Sequence, residues 1–371
     1  MQRCVVAYSN QEQPENAFDE VVKKLKSNES EPILIIFFST EKDFWYYSKN
    51  IKQTFPNATT IGTTTYRNLT SKGHGTEGFS AMAIYSGIEV TSGILFYIDV
   101  HPGNYVKHAT QAVKGIENEE NCCCVCFSTA VYGKEGLVLD TLKKGFDGKK
   151  IPIIGGSSGM SNPDNYGIVS LNGDIYKKTA VFAIIKNLNG KIIFTRENIF
   201  KRTNHTFKTT DVDCEECRVY ELDDKPAANA ISEATGIPIA NLKEYFTTHT
   251  MGRIINDDSF ITEVNKIYED GSISYFATIY NRSNVALLEL DDIENVWKKT
   301  NAALKEKLEN PSFGLVVNCY ARTRLFEKMQ LLDKFIDILK SDCGNFIGVT
   351  GFGEQLRSDH MNQTMVLALF E

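Results

Sequence analysis

Phe313-Gly-Leu-Val-Val-Asn-Cys-Tyr-Ala-Arg322, Phe346-Ile-Gly-Val-Thr-Gly-Phe-Gly-Glu354 and Asn362-Gln-Thr-Met-Val-Leu-Ala-Leu-Phe370 decide the fold of this chain. The first piece opens as a short, nearly continuous apolar run. That is the signature of a strand covered on both faces. Leu325, Met329, Leu332, Ile336 and Leu339 follow at helical spacing and predict one amphipathic helix. The second piece is a strand ending in a glycine-bearing turn, and the third is a closing strand. The order is strand, helix, strand, small-residue turn, strand.

The same order occurs twice upstream. Pro32-Ile-Leu-Ile-Ile-Phe-Phe-Ser-Thr40 and Cys122-Cys-Cys-Val-Cys-Phe-Ser-Thr129 are the corresponding apolar runs. Phe44, Tyr47, Ile51 and Phe55 form the first helical face, and Leu139, Leu142 and Phe146 the second. Each helix leads to an Ile-Gly step: Ile61-Gly62, Ile154-Gly155 and Ile347-Gly348. Small residues come next, at Thr63-Thr-Thr65, Gly156-Ser-Ser158 and Val349-Thr-Gly351. Ser80-Ala-Met-Ala-Ile84 and Thr179-Ala-Val-Phe-Ala-Ile-Ile185 close the two earlier units.

The remaining segments read as mixed α and β. Asn104 to Ile116 predicts a helix with Val106, Val113 and Ile116 inward and Asn104 as its cap. Ile168 to Tyr176 predicts a hairpin turning at Asn172-Gly173. Asn162-Pro163-Asp164 is a turn signal. The polar stretch Thr203 to Glu216 reads as a domain boundary, dividing the chain into 1–214 and 215–371. Beyond it come a strand at Arg218–Leu222 and a helix between Pro226 and Gly236. A hairpin follows from Phe260 to Tyr280, turning at Asp270-Gly271, and then a helix opening at Asp291-Asp-Ile-Glu294. The expected fold is α/β in the mixed α+β sense, with repeated strand–helix–strand–turn–strand units forming two lobes of mixed sheets.

Composition narrows the function. With 371 residues and 42% hydrophobic residues, the chain can bury a large core without a metal or disulfide. A net charge of -7 argues against nucleic acid as the main partner. The longest apolar run, Ile33 to Phe38, falls far short of the roughly 20 residues that span a bilayer, so no membrane insertion is expected. The first residues show no signal peptide. Nine cysteines, an odd number in a long chain, fit a reduced, cytoplasmic protein.

Catalytic and cofactor motifs are missing: there is no nucleophile elbow, phosphate-binding loop or zinc-protease helix. No cofactor is therefore expected. Cys122, Cys123, Cys124 and Cys126 alternate across a strand and cannot converge on a metal. Cys214-Glu-Glu-Cys217 has metal-ligand spacing but no second pair or nearby histidine. The informative polar groups are at strand ends, where open α/β sheets bind ligands. They are Cys319 and Arg322, then Gly351, Gly353 and Glu354, then Asn362 and Thr364. An arginine offers a planar fork to a carboxylate, and a glutamate accepts hydrogen bonds from an ammonium.

These motifs resemble the FIST domain family, named for F-box and intracellular signal transduction proteins. Asn318-Cys-Tyr-Ala-Arg322, Gly348-Val-Thr-Gly-Phe-Gly-Glu354 and Asn362-Gln-Thr-Met-Val366 match its C-terminal part. So do Asp224-Lys-Pro-Ala227 and Thr248-His-Thr-Met-Gly252, which adds His249 to the candidate site. Phe37-Phe-Ser-Thr40, Ile61-Gly-Thr-Thr64 and Ile154-Gly-Gly-Ser-Ser158 resemble its N-terminal part. The resemblance implies a sensory domain that binds a small molecule, an amino acid or relative. In bacteria the family occurs alone or attached to chemoreceptor, kinase or cyclic-dinucleotide output domains. No such output is visible here, so a separate signalling partner is implied. Thr250 replaces the family's proline, and Glu263 stands where the family places an arginine.

Two other readings stay open. Cys319 as a thiolate with His249 as base and Glu354 as orienter would make a cysteine-dependent transferase or hydrolase. A ligand-free interaction module would use the Trp45-Tyr-Tyr47 region as its partner face.

Overall fold

The computed structural model of the chain describes residues 3–28, 30–131, 133–161, 167–256 and 258–371. The predicted turn at Asn162-Pro163-Asp164 lies outside them. The chain forms two compact units. The first takes residues up to Arg196 together with Thr300–His360 and Met365–Glu371. The second takes Glu197–Lys299 and Met361–Thr364.

Three six-stranded sheets build the first unit, one for each repeat. At the heart of each is a parallel pair: Leu34–Ser39 with Thr59–Thr64, Cys122–Ser128 with Ile153–Ser157, and Phe313–Cys319 with Phe346–Gly351. The closing strands Phe79–Ile84, Thr179–Asn187 and Thr364–Phe370 run antiparallel on the other side of the first member. Cys4–Ser9, Ile88–Phe96 and Ile192–Asn198 then complete that side of each sheet.

The Ile-Gly steps fall at one register. Gly62 lies opposite Phe37, Gly155 opposite Cys126 and Gly348 opposite Val316. The residue is small because the neighbouring strand crowds it. A Cβ on Gly155 would come 1.7 Å from the carbonyl oxygen of Cys126, and one on Gly62 would meet the Phe37 ring at 2.6 Å.

The hairpin following each Ile-Gly strand does not join its own sheet. Asn68–Thr70 and Gly73–Gly75, from the first repeat, extend the third sheet. Val169–Leu171 and Asp174–Tyr176, from the second, extend the first sheet. Gly353–Leu356 and Asp359–Met361, from the third, extend the second sheet. The exchange is cyclic and in register: Leu69 faces Gly348, Ser170 faces Gly62, and Gln355 faces Gly155.

Strand alternation sends Ile35 and Phe37 to the helix-covered side, where they pack with Ala17, Val21, Phe44, Tyr47 and Ile51. Cys122, Cys124 and Cys126 do the same against Ala109, Val138, Leu139 and Leu142. The opposite faces meet one another: Phe38 and Phe127 pack edge to face at 5.4 Å. Each fully buried aromatic of this kind contributes roughly 2 kcal/mol by area alone.

The second unit is an eight-stranded sheet covered by the helix Ala227–Thr235. That helix starts after Pro226 and ends on a left-handed Gly236, as expected. Asn172 and Gly173 both take positive φ in their hairpin, the geometry a type I′ turn requires.

Several expectations need correction. Most of the stretch Thr203 to Glu216 is strand. Phe200–Asp213 is one long strand, whose mostly exposed face supplies the polar residues that suggested a boundary. The helix predicted through Leu325 and Leu339 is two helices, Tyr320–Lys328 and Leu332–Cys343. Gln330, in the left-handed region, breaks it, and Met329 points out at 43% exposure. Leu332, Ile336 and Leu339 are buried as expected, together with Phe326 and Phe335. Asn104 caps nothing: a single 3-10 turn, Pro102–Tyr105, precedes the helix Val106–Lys114, whose inward residues are Ala109, Ala112 and Val113. The arms of the Asp270-Gly271 hairpin are Val264–Ile267 and Ile273–Tyr275, while Phe260 belongs to a different pairing. Of the Trp45-Tyr-Tyr47 region, Trp45 is exposed and Tyr47 is core.

Candidate functional site

The three parallel pairs end together. Tyr66 N–H donates to Thr350 O at 3.1 Å, Gly159 N–H to Thr64 O at 2.9 Å, and Phe352 N–H to Ser157 O at 3.3 Å. Counted from the Ile-Gly step, these are equivalent donors and equivalent acceptors. The carboxyl ends of three sheets are thus pinned into one ring of backbone bonds. Such ends are where α/β folds collect ligand-binding groups.

The three equivalent donors are Tyr66, Gly159 and Phe352, so two of them carry a ring. A third ring comes from Tyr320, the first residue of its helix. Tyr320 packs at 4.8 Å from Tyr66 and 5.2 Å from Phe352, tilted by 78° and 61°. All three rings are half-buried. Edge-on contacts of this kind suit the ring quadrupoles and hold the trio in place.

A charged cluster lies beside it. Arg67 Nε and Nη2 reach Glu327 Oε1 at 3.0 and 2.8 Å. Tyr66 Oη donates to Glu327 Oε2 at 3.1 Å. Arg324 Nη1 donates to Tyr66 Oη at 2.8 Å and to Glu327 Oε2 at 3.0 Å. Arg324 stays largely in solvent, with its side chain 57% exposed. His74 Nε2 is 2.9 Å from Asp333 Oδ1, and its Nδ1 is 3.4 Å from Arg67. Two arginines thus share one carboxylate at the rim of an aromatic cluster.

In the same corner, Asn318 Nδ2 donates to Thr323 Oγ1 at 2.8 Å, and Thr323 Oγ1 donates to Cys319 O at 2.9 Å. Asn318 Oδ1 and Thr350 Oγ1 are buried and have no protein partner. The two residues lie side by side in register on the parallel pair, and buried polar atoms are usually paired.

The sequence-predicted residues distribute as follows. Cys319 and Arg322 flank the Tyr320 segment, and both are buried. The Arg322 guanidinium lies over the Phe326 and Phe335 rings at 5.0 and 5.3 Å. Gly351 and Gly353 flank Phe352. Their missing side chains make room for the protein itself: Ser157 O lies 2.1 Å from a Cβ on Gly351, and the His360 ring 2.2 Å from one on Gly353. Glu354 is buried in a strand of the second sheet, opposite Gly156.

His249, Asn362 and Thr364 belong to the second unit. The His249 ring stacks on Tyr245 at 3.9 Å, with Nδ1 3.2 Å from Tyr245 O. Asn362 accepts from Glu263 N–H at 3.5 Å and donates to Ile261 O at 3.3 Å. Thr364 is buried and opens the closing strand. Glu263, at the family's arginine position, is pushed up to about 7 by burial, against a hydrogen bond from Gln363.

Sequence reasoning missed Tyr66, Arg67, Tyr320, Glu327 and Phe352. Two of the rings sat inside motifs already singled out, between the residues that were chosen. Glu135 was also missed. It begins the helix Glu135–Gly145, is buried, and accepts from Ser157 Oγ at 3.3 Å. Burial raises its carboxyl to about 7, opposed by hydrogen bonds from the backbone and from Ser157.

Among the described residues no three His, Cys, Asp or Glu side chains could hold a metal ion together. No helix of the described residues is long and apolar enough to cross a membrane. The FIST N domain matches residues 33–225 and the FIST C domain matches residues 227–357. No match to a curated protein is found. The chain is similar to a solved structure of cyanuric acid hydrolase, described as an evolutionary innovation by structural concatenation. That likeness has a TM-score of 0.31 and 7% identity, over 78% of this chain and 98% of that one. With both domains matched and nearly the whole chain covered, the protein belongs to the FIST family.

Proposed function

We propose that this chain is an intracellular sensory domain that binds a small molecule at the ring cluster of its first unit and reports occupancy to a separate signalling protein. The ligand class is an amino acid or a related metabolite carrying a carboxylate and an ammonium. The observation that carries this reading is the half-buried trio Tyr66, Tyr320 and Phe352 beside Arg67, Arg324 and Glu327. Aromatic faces attract an ammonium, the exposed Arg324 guanidinium takes a carboxylate, and Glu327 supplies the opposite charge. Asn318 Oδ1 and Thr350 Oγ1 add buried acceptors. Cys319, Arg322, Gly351, Gly353 and Glu354 hold the two backbone segments that carry the rings. The nine thiols fit a reducing compartment.

A thermal-shift screen against amino acids, small carboxylates and nucleotides tests this. A ligand at about 100 times its dissociation constant adds roughly 2.7 kcal/mol to stability, which raises Tm visibly. Amino acids should raise Tm in the wild type but not in Arg324→Ala, whose exposed side chain leaves the fold unharmed when removed. A rise that persists in both Arg324→Ala and Tyr320→Ala would overturn the site. No rise with any amino acid would overturn the ligand class.

A further inference from the structure

Cys214-Glu-Glu-Cys217 closes the hairpin between the strands Phe200–Asp213 and Arg218–Leu222. Asp213 pairs with Arg218, so four residues make the connection. Asp213 Oδ1 accepts the N–H groups of Glu215 and Glu216 at 2.9 and 3.0 Å, fixing the first half of the turn. Cys217 takes a left-handed φ of 47°, which returns the chain to the strand. The ends of such a four-residue turn lie within about 7 Å at Cα. A disulfide spans that separation.

The two sulfurs also face one strip of the molecule. Cys214 Sγ is 3.7 Å from Ile279 O, and Cys217 Sγ is 3.5 Å from Thr278 Oγ1 and 3.9 Å from Cys214 O. Their exposure is asymmetric: Cys214 is exposed and Cys217 is fully buried. The other seven cysteines are buried. Burial pushes the thiol of Cys122 up to about 11 and those of Cys4 and Cys126 to about 12, which leaves them almost no thiolate.

We propose that Cys214 and Cys217 are a reversible redox modification site for low-molecular-weight disulfides, with Cys214 attacking first and Cys217 resolving. The Cys214 thiolate attacks one sulfur of the incoming disulfide. A mixed disulfide forms and one small thiolate leaves. Cys217 attacks Cys214 Sγ, its thiol proton passing to the departing sulfur, which leaves as the second small thiol. Two protein thiols are oxidised to one disulfide, and one small disulfide is reduced to two thiols. Asp211, Asp213, Glu215 and Glu216 surround the pair in sequence, so a cationic disulfide such as cystamine is the suitable probe.

The full-length protein is incubated with cystamine without denaturant, quenched in acid, and its intact mass and alkylated peptides are read. The wild type should lose two hydrogen atoms, carry a bond between Cys214 and Cys217, and recover both thiols with dithiothreitol. Cys217→Ser should stop at a cysteamine adduct on Cys214, and Cys214→Ser should stay unmodified over the same time. A wild type that stops at the adduct, does not react, or joins any other pair of cysteines overturns the proposal, whatever the variants do.

Discussion

Ser128, Ser157 and Gly159 in the second repeat occupy the positions of Asn318, Thr350 and Phe352 in the third. The backbone around them is the same: a parallel pair, an Ile-Gly step in register, and a hairpin received from another repeat. The chemistry differs. In the second repeat Ser157 Oγ donates to Glu135, which starts the helix, and glycine takes the ring position. In the third, Thr350 Oγ1 has no protein partner, Phe352 carries a ring, and Tyr320 begins the helix beneath an arginine-rich rim. The frame therefore tolerates almost any polar residue at its strand ends. What it does not tolerate is volume at the Ile-Gly step.

That contrast can be broken most forcefully at the step itself. Gly155→Ala should cost more than about 3 kcal/mol in urea unfolding, because its Cβ would overlap the backbone oxygen of Cys126, which cannot swing away. The matching change in the third repeat, Gly348→Ala, meets the side-chain carbons of Leu69 and Val316 at 3.1 Å and the Val316 carbonyl oxygen at 3.3 Å, and should cost about 1 kcal/mol. Equal costs would mean that the crowding at Gly155 is no tighter than at Gly348.

Next in size is a pH effect confined to the second repeat. The folded carboxyl of Glu135 sits near 7, above its usual 4.5. Between those values the folded chain keeps a proton that the unfolded chain has released. The contribution of Glu135 is therefore complete below about 4.5 and is lost as pH rises through 7, a change of about 3 kcal/mol. Subtracting the stability curve of Glu135→Gln from that of the wild type should isolate this decline; a flat difference from pH 4 to 8 would contradict the assigned burial.

In the third repeat, Arg322→Ala should lower stability by about 2 kcal/mol, since the guanidinium covers Phe326 and Phe335 inside the protein. It is thus a poor probe of ligand binding, and Arg324 is a better one. The smallest effect expected is a gain. Thr350→Val removes a buried hydroxyl that has no partner and should stabilise the ligand-free protein by up to about 1 kcal/mol. Ser157→Ala, in the second repeat, should cost about as much, because it strips Glu135 of a donor. If Thr350→Val also weakens the ligand-induced rise in Tm, the two measurements together place the hydroxyl on the ligand.

The repeats were legible because buried parallel strands are written as unbroken apolar runs, and because crowding by the neighbouring strand fixes a glycine at one place in each. The strand Phe200–Asp213 was not legible, since its mostly exposed polar face hides the alternation that marks strands. The break at Gln330 was hidden by Met329, an apolar residue at core spacing that faces solvent. The candidate site was half legible. Asn318 to Arg322 and Gly351 to Glu354 contain Tyr320 and Phe352, two of the three clustered rings. Arg67 lies 260 residues before Glu327, at the head of the hairpin that begins at Asn68, and no local pattern announces which sheet a hairpin will join.

The cyclic exchange of hairpins also bears on how the protein is made. The strand Asn68–Thr70 emerges from the ribosome long before its partner Phe346–Gly351. Until then an unpaired hairpin edge from the first repeat must wait, as must the edge of Ile153–Ser157, whose partner is Gly353–Leu356. Exposed strand edges are templates for pairing with the wrong chain, and pairings this distant in sequence form slowly. The first unit can therefore close only after its third repeat, through Phe370, has emerged. A nascent or truncated chain that stops short of Phe346 lacks both of these partners and also leaves Phe313–Cys319 without either neighbour, so it is a client for chaperones rather than a smaller stable domain.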